Sequence, residues 1–374
     1  MGLELADIFR QFGHAYRRKY AARILPSHRR AMHAIERCRT ETLGGQIYTC
    51  SACGETRYSY HSCRDRHCPK CQHAQTQEWL ALQQDLLLPA PYFLLTFTLP
   101  AELRQLASSN QKLIYTLLFH ASAQAAQRLA RDPRFVGGQI GLIGVLHTWT
   151  RNLLYHPHVH YLAPGGGLDA DGTTWRPARK RFFLPVKALS MLFRAAFQRA
   201  LKKTPLYASI PTKVWRKKWV VHCKPVGNGQ AAIKYLAPYI HRVAISNRRL
   251  LSLSLGTLET AQVSFQYRAS DTGHLKRCHL SVEHFMQRFL QHVLPRGFVK
   301  VRYYGFFGAA CRPRLAFLQQ LFAPTPPPEI SIPEQDMLEP NITDDPSPAL
   351  TRCPTCGNTM VFLRTLFPRF CRSP

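Results

Sequence analysis

Acidic side chains are scarce in this sequence: 21 Asp and Glu stand against 50 Lys and Arg in 374 residues, a formal charge of +29. A balance so lopsided disfavours a metal site assembled from clustered carboxylates, and no such cluster stands out. Long apolar runs are missing too. The longest, Leu86 to Leu99, is interrupted by Pro89, Pro91 and polar threonines. It falls short of the roughly 20 residues that a membrane-spanning helix needs. Met1 to Arg10 has no apolar stretch behind a basic segment, so no signal peptide is expected and the chain reads as cytosolic. A Gly-x-x-x-x-Gly-Lys-Ser/Thr phosphate loop is absent, which argues against a built-in helicase of that kind. No internal repeat of fixed period is visible.

What is present is positive charge in excess of any need of solubility, which points to a polyanion held through its phosphates, with nucleic acid as the default partner. A membrane surface would attract the same charge, but the basic residues run through the whole chain and do not line one amphipathic helix. A hydrophobic fraction of 45% suits a globular protein, and the length suits two or three domains.

Six of the 12 cysteines fall in three Cys-x-x-Cys pairs in a large chain in which no signal is expected, a pattern of zinc and not of a secreted disulfide scaffold. Cys50-Ser-Ala-Cys53 and Cys68-Pro-Lys-Cys71 form two knuckles whose four thiolates would fill one tetrahedral shell and leave no open position, hence a structural Zn²⁺. Cys63, His61 and His67 lie in the same block, so Cys63 is an alternative ligand, or part of a second site. The block carries Arg57, Arg64, Arg66 and Lys70, candidate contacts to DNA backbone. Near the end, Cys353 and Cys356 have only Cys371 nearby, so a zinc site and an incomplete site or merely reduced pair are equal readings.

Between these landmarks strands and helices interleave. A helix with Ser27 as N-cap is expected from His28 toward Cys38, and a buried strand over Tyr92–Leu99. A helix pair follows over residues 101–131. Strands over Gly144–Thr150 and Val159–Ala163 are joined by a turn containing Pro157. A helix then covers 186–202, a strand 215–223, a strand 262–268, a helix 282–293 and a strand 298–304. Such a pattern predicts an α+β fold: a central, mainly antiparallel sheet flanked by helices, plus an N-terminal helical and zinc-ribbon domain. Residues 1–85 are expected to form the helical and zinc-binding domain, 86–260 a catalytic domain, and 261–321 an α/β extension of it. Residues 322–350, rich in proline and acids with no Lys or Arg, read as a linker, and 351–374 as a small knuckle.

Two constellations carry chemistry. In Tyr155-His-Pro-His-Val-His-Tyr161, His158 and His160 are two apart, so on a strand both point to one face, where two imidazoles can hold a divalent ion with positions open to a phosphate and water. His156 shares the parity but precedes Pro157, and His147, on the neighbouring strand, is a possible third ligand or a structural residue. In the segment 232–250, Tyr235 and Tyr239 are four apart, which on a helix stacks both hydroxyls on one side. A phenol needs a neighbouring cation to act as a nucleophile, and Lys234, His241 and Arg242 are close in sequence. Pro238 cannot donate inside a helix, so either the helix kinks there or it starts at Pro238 and leaves Tyr235 in the preceding turn. Tyr239 is then the better fixed of the two.

Three segments in order resemble the HUH transposases of the two-tyrosine, insertion-sequence ninety-one type: Cys63-Arg-Asp-Arg-His-Cys-Pro-Lys-Cys71; Leu146-His-Thr-Trp149 with His156-Pro-His-Val-His160; and Tyr235-Leu-Ala-Pro-Tyr-Ile-His-Arg-Val-Ala-Ile-Ser-Asn247. A fourth, His292-Val-Leu-Pro-Arg-Gly-Phe-Val-Lys-Val-Arg-Tyr-Tyr-Gly305, extends the likeness to about Phe322. The resemblance implies a zinc domain followed by an HUH nuclease domain, Mg²⁺ or Mn²⁺ on His158 and His160, and attack by Tyr235 and Tyr239 on single-stranded DNA. It further implies a 5′-phosphotyrosine with a free 3′-OH, ATP-free rejoining in rolling-circle transposition, element ends and target as DNA partners, and a bacterial, nucleoid-associated setting. Lys234 and Arg242 join the candidate DNA contacts. The rival readings are an HUH replication initiator or relaxase, a metal-free tyrosine recombinase, and a zinc-dependent DNA-binding protein without catalysis.

Overall fold

The computed structural model describes residues 2–71, 79, 81–179, 181–229, 231, 244–269, 272–322 and 352–368. The chain opens with helices α1 (Leu5–Lys19) and α2 (Pro26–Arg37), followed by a hairpin of β1 (Gly45–Cys50) and β2 (Thr56–Tyr60). Strand β3 (Pro91–Thr98) leads through a 3₁₀ turn into α3 (Arg104–Ser109) and α4 (Gln111–Ala130). Then come β4 (Leu142–Trp149), β5 (Tyr155–Pro164), a ribbon of β6 (Gly166–Leu168) and β7 (Trp175–Pro177), and α5 (Val186–Leu201). The second half adds β8 (Val221–Asn228), β9 (Leu250–Leu253), β10 (Gln262–Arg268), β11 (Leu275–Ser281) and α6 (Val282–Leu290). It ends with β12 (Val301–Tyr304), α7 (Arg312–Leu321) and β13 (Met360–Leu366). The α+β class with a central antiparallel sheet is what the sequence predicts.

Five strands in the order β12-β4-β5-β3-β8 form the central sheet, every neighbouring pair antiparallel. Strict alternation gives its faces different work. One face carries Phe93, Leu95, Phe97, Leu146, Val159 and Tyr161, all buried against α4 and α5 through Tyr115, Phe119, Phe193 and Phe197. Each phenylalanine so buried contributes about 2–3 kcal/mol. The tight fit explains Gly144: a Cβ there would stand 2.5 Å from the Tyr161 ring. The opposite face is divided. Leu94, Ile143, Val145 and Leu162 pack under Phe306, Phe307 and α7, whereas the same parity further along each strand reads Thr96 and Thr98, His147, and His156, His158 and His160.

A second core unites α1 and α2 with residues 244–293: Phe9, Phe12, Met32 and Ile35 pack with Phe265, Phe285, Met286 and Phe289. The N-terminal helices therefore share a core with the segment 261–290, and the boundaries expected at 85 and 260 cut across packed side chains. The physical reason is that α1 is apolar along one stripe only, and α6 offers the matching stripe.

Local departures have local causes. Helix α2 starts at Pro26, with Leu25 in the N-cap position and Pro26 at the first helical site, so the cap lies two residues before the expected Ser27. Pro157 lies within β5 and not in a turn: between the pairs His147↔His158 and Trp149↔Tyr155, β5 has one residue more than β4, and such a bulge tolerates a residue without an N–H. The strand expected over 215–223 begins only at Val221, after a helical turn at Lys213–Arg216. Strand β11 is largely exposed and without alternating apolarity, so the sequence pattern carries no strand signal there.

Candidate metal centres and nucleic-acid interface

The six N-terminal cysteines divide into two clusters, and the division is not the one their spacing suggests. Cys68 and Cys71 meet Cys38, at the C-cap of α2, and Cys63, with Sγ–Sγ distances of 3.5 Å for Cys38–Cys71 and 3.6 Å for Cys63–Cys71. Cys50 ends β1 and Cys53 lies in the turn of the β1–β2 hairpin, which carries them away toward Cys353 and Cys356. The single site expected from Cys50, Cys53, Cys68 and Cys71 is thus corrected, and Cys63 is a full member of the first cluster. A tetrahedral zinc with Zn–S bonds of about 2.3 Å sets its sulfurs about 3.8 Å apart, so the first cluster needs only a slight expansion to hold one. It is almost wholly buried and backed by the second core. His67 is not among its donors: its Nδ1–H donates to Asp65 at 2.9 Å and its Nε2 accepts from the Leu294 amide.

Two of the basic residues expected to face DNA are engaged with the protein itself. Arg66 donates to the carbonyls of Phe298 and Pro295, and Lys70 pairs with Glu4 at 2.8 Å. Arg64 is exposed, and Arg57 lies on β2. Lys234 and Arg242, like Tyr235, Tyr239 and His241, lie outside the described residues.

The sheet's divided face supplies the third cluster. His147 stands opposite His158 across β4 and β5, and His160 is one alternation further along. Their ligand nitrogens all lie within 4.8 Å of one another, and the ring centroids are 4.8–5.3 Å apart. His147 is therefore a third donor that spacing could not assign, because it arrives from a neighbouring strand. Burial pushes His158 down to about 4 and His160 down to about 3, so at neutral pH both are uncharged imidazoles, the form that binds a cation.

Hydrogen bonds on the other ring nitrogens orient the set. His158 Nδ1 lies 2.6 Å from the His156 carbonyl, which can only accept, so the proton sits on Nδ1 and Nε2 keeps its lone pair. His160 Nδ1 pairs with the Thr96 hydroxyl at 2.9 Å. His156, of the same parity, is held by the Arg104 guanidinium at 2.8 Å and is not part of the trio. Trp149 stacks on His147 at 5.1 Å, with the Lys300 ammonium 5.1 Å above the indole, and burial pushes that amine down to about 7. Beneath them His292 accepts from Thr148 and donates to the Leu153 carbonyl. Three imidazole donors from one side suit a divalent transition ion, and Mn²⁺ better than the oxygen-seeking Mg²⁺.

Comparison with known proteins identifies the family. Residues 141–314 match a family model described as "Putative transposase", and residues 8–99 one described as "Transposase zinc-binding domain". The chain belongs to the insertion-sequence ninety-one type transposases with an N-terminal zinc-binding domain. It is 41% identical over 327 residues to "Putative transposase y4qJ" of Sinorhizobium fredii, covering 82% of this chain and 81% of that one. It is 29% identical over 347 residues to "Transposase for insertion sequence element IS801" of Pseudomonas savastanoi pv. phaseolicola, covering 87% and 80%. No solved structure matches the chain. Among the described residues no helix is long and apolar enough to cross a membrane.

Proposed function

We propose that this transposase cuts and rejoins single-stranded DNA at element ends and target by a rolling-circle mechanism, with Tyr235 and Tyr239 as nucleophiles beside an ion on His147, His158 and His160. The observation that carries the reading is the convergence of three imidazoles on one sheet face, with His158 and His160 neutral and oriented. A bound Mn²⁺ or Mg²⁺ supplies Lewis-acid polarisation of the scissile phosphate.

The remaining work falls to the chain. His158 and His160 hold their lone pairs in place through the His156 carbonyl and the Thr96 hydroxyl. A tyrosine oxygen attacks phosphorus, the P–O3′ bond breaks, and the departing 3′ oxygen takes a proton to become a 3′-OH. The 5′ phosphate remains on the tyrosine as an ester, so a second 3′-OH can displace it and reseal the strand without ATP. The charge of +29, with Arg57, Arg64, Lys234 and Arg242, favours retention of the DNA between these steps. The relaxase and initiator readings share this chemistry, but the matched zinc-binding domain favours the transposase.

The test incubates the protein with single-stranded oligonucleotides bearing the element's ends and Mn²⁺, and resolves adducts on a denaturing gel. Wild type is expected to yield a protein–DNA adduct, and Tyr235→Phe/Tyr239→Phe none. An undiminished adduct in the double variant contradicts the mechanism.

A further inference from the structure

We propose that the chain carries a second four-thiolate zinc site, formed by Cys50 and Cys53 from the N-terminal module and Cys353 and Cys356 from the C-terminal segment, which clasps the two ends of the protein together. Half of this site lies outside the matched zinc-binding segment of residues 8–99.

The sulfurs are disposed for one tetrahedral ion. Cys50 and Cys356 are 3.4 Å apart, Cys53 and Cys353 3.5 Å, and Cys53 and Cys356 3.5 Å. These near-equal distances are far too long for a disulfide of about 2.05 Å and slightly short of the roughly 3.8 Å edge of a zinc tetrathiolate.

The backbone around each pair is built alike. Cys50 N–H donates to the Glu55 carbonyl at 2.8 Å and Gly54 N–H to the Cys50 carbonyl at 3.0 Å. Cys353 N–H donates to Asn358 at 2.7 Å and Gly357 N–H to Cys353 at 2.9 Å. Gly54 has φ of +72° and Gly357 +75°, and a Cβ on either would meet nothing within 4 Å. Both glycines are therefore required by the turn and not by packing. Two copies of one Cys-x-x-Cys-Gly knuckle thus face each other.

The sheet delivers them to the same place. Strand β13 pairs antiparallel with β1 from Gly45↔Leu366 to Cys50↔Met360, which brings the knuckle before β13 against the knuckle after β1. Beyond the ladder to β1, among the described residues the apolar support of β13 is the cluster of Tyr48, Cys50, Cys353 and Met360 and the edge-on contact of Phe362 with Tyr48, while Val361, Phe362 and Leu363 are largely exposed. A unit with so small a core needs a staple, and a metal is one of the few available.

The test measures zinc per chain by elemental mass spectrometry on the full-length protein. Wild type is expected to hold two, Cys353→Ser/Cys356→Ser one, and Cys38→Ser/Cys71→Ser one. To guard against misfolding of variants, a protease site placed within residues 323–350 of otherwise wild-type protein is cleaved, and the fragments are passed over a sizing column. The C-terminal piece is expected to co-elute with the rest in zinc and to separate after chelation. One zinc in wild type, two in Cys353→Ser/Cys356→Ser, or a C-terminal piece that elutes separately with zinc present each overturns the proposal.

Discussion

Cys38, Cys63, Cys68 and Cys71 close around one position with four donors, whereas His147, His158 and His160 approach theirs with three, all from one face of a sheet. Four thiolates complete a tetrahedral shell, and such a metal has no place for substrate. Three imidazoles leave coordination open to a phosphate oxygen or water. Surroundings follow the same division. The sulfur cluster is walled by the apolar second core; the histidines lie beside threonines, an arginine and a lysine, further along the sheet face whose other end packs under α7. The lesson is that ligand count and lining, more than the presence of a metal, separate a structural from a catalytic centre.

The contrast breaks if the two clusters respond alike to removal. Cys38→Ser should lower the stability of the full chain by about 4 kcal/mol or more, because it opens the shell and leaves unpaired thiolates in a core; urea denaturation checks this. His147→Ala should reduce strand cleavage about 100-fold while costing at most about 2 kcal/mol of stability, measured by cleavage kinetics beside the same denaturation curve. If Cys38→Ser proves silent, or His147→Ala chiefly unfolds the protein, the assignments are reversed.

Acid should sharpen the difference. His158 and His160 have their ordinary value of 6.5 lowered to about 4 and about 3 by burial, so the unfolded chain binds protons that the folded chain refuses. Stability contributed by keeping them neutral is complete above pH 6.5 and drains away as pH falls from 6.5 through about 4 and about 3, a loss on the order of 5 kcal/mol or more in metal-free protein. Metal affinity at the histidines falls over the same range. Unchanged stability between pH 6.5 and 4 would argue against the buried, neutral state. The smallest effect belongs to Thr96→Val, expected to weaken Mn²⁺ binding about tenfold by loosening His160, with stability within about 1 kcal/mol of wild type; isothermal titration calorimetry reads it.

How much of this the sequence discloses depends on how far apart the partners lie. His158 and His160 are legible because strand parity puts residues two apart on one face. His147 is visible only as a candidate, since its approach depends on the register of β4 against β5 and on a bulge at Pro157. Spacing identifies each Cys-x-x-Cys knuckle but not which knuckles meet: the β1–β2 hairpin separates Cys50 and Cys53 from Cys68 and Cys71, and the register of β13 on β1 supplies their true neighbours. Arg66 and Lys70 read as DNA contacts because charge does not reveal a partner such as Glu4 or the Pro295 carbonyl. The shared core of α1, α2 and α6 was hidden for a similar reason, as an amphipathic stripe shows that a helix is covered but not by what.

Adduct formation by His158→Ala/His160→Ala probes the central claim most directly. With Mn²⁺ and single-stranded element ends, wild type should form a 5′-phosphotyrosine adduct that EDTA abolishes, and the double variant should form about 10³-fold less while retaining its thiolate zinc. A 3′-linked adduct, an adduct insensitive to EDTA, or full activity in the histidine variant would contradict a metal-assisted tyrosine mechanism at this site.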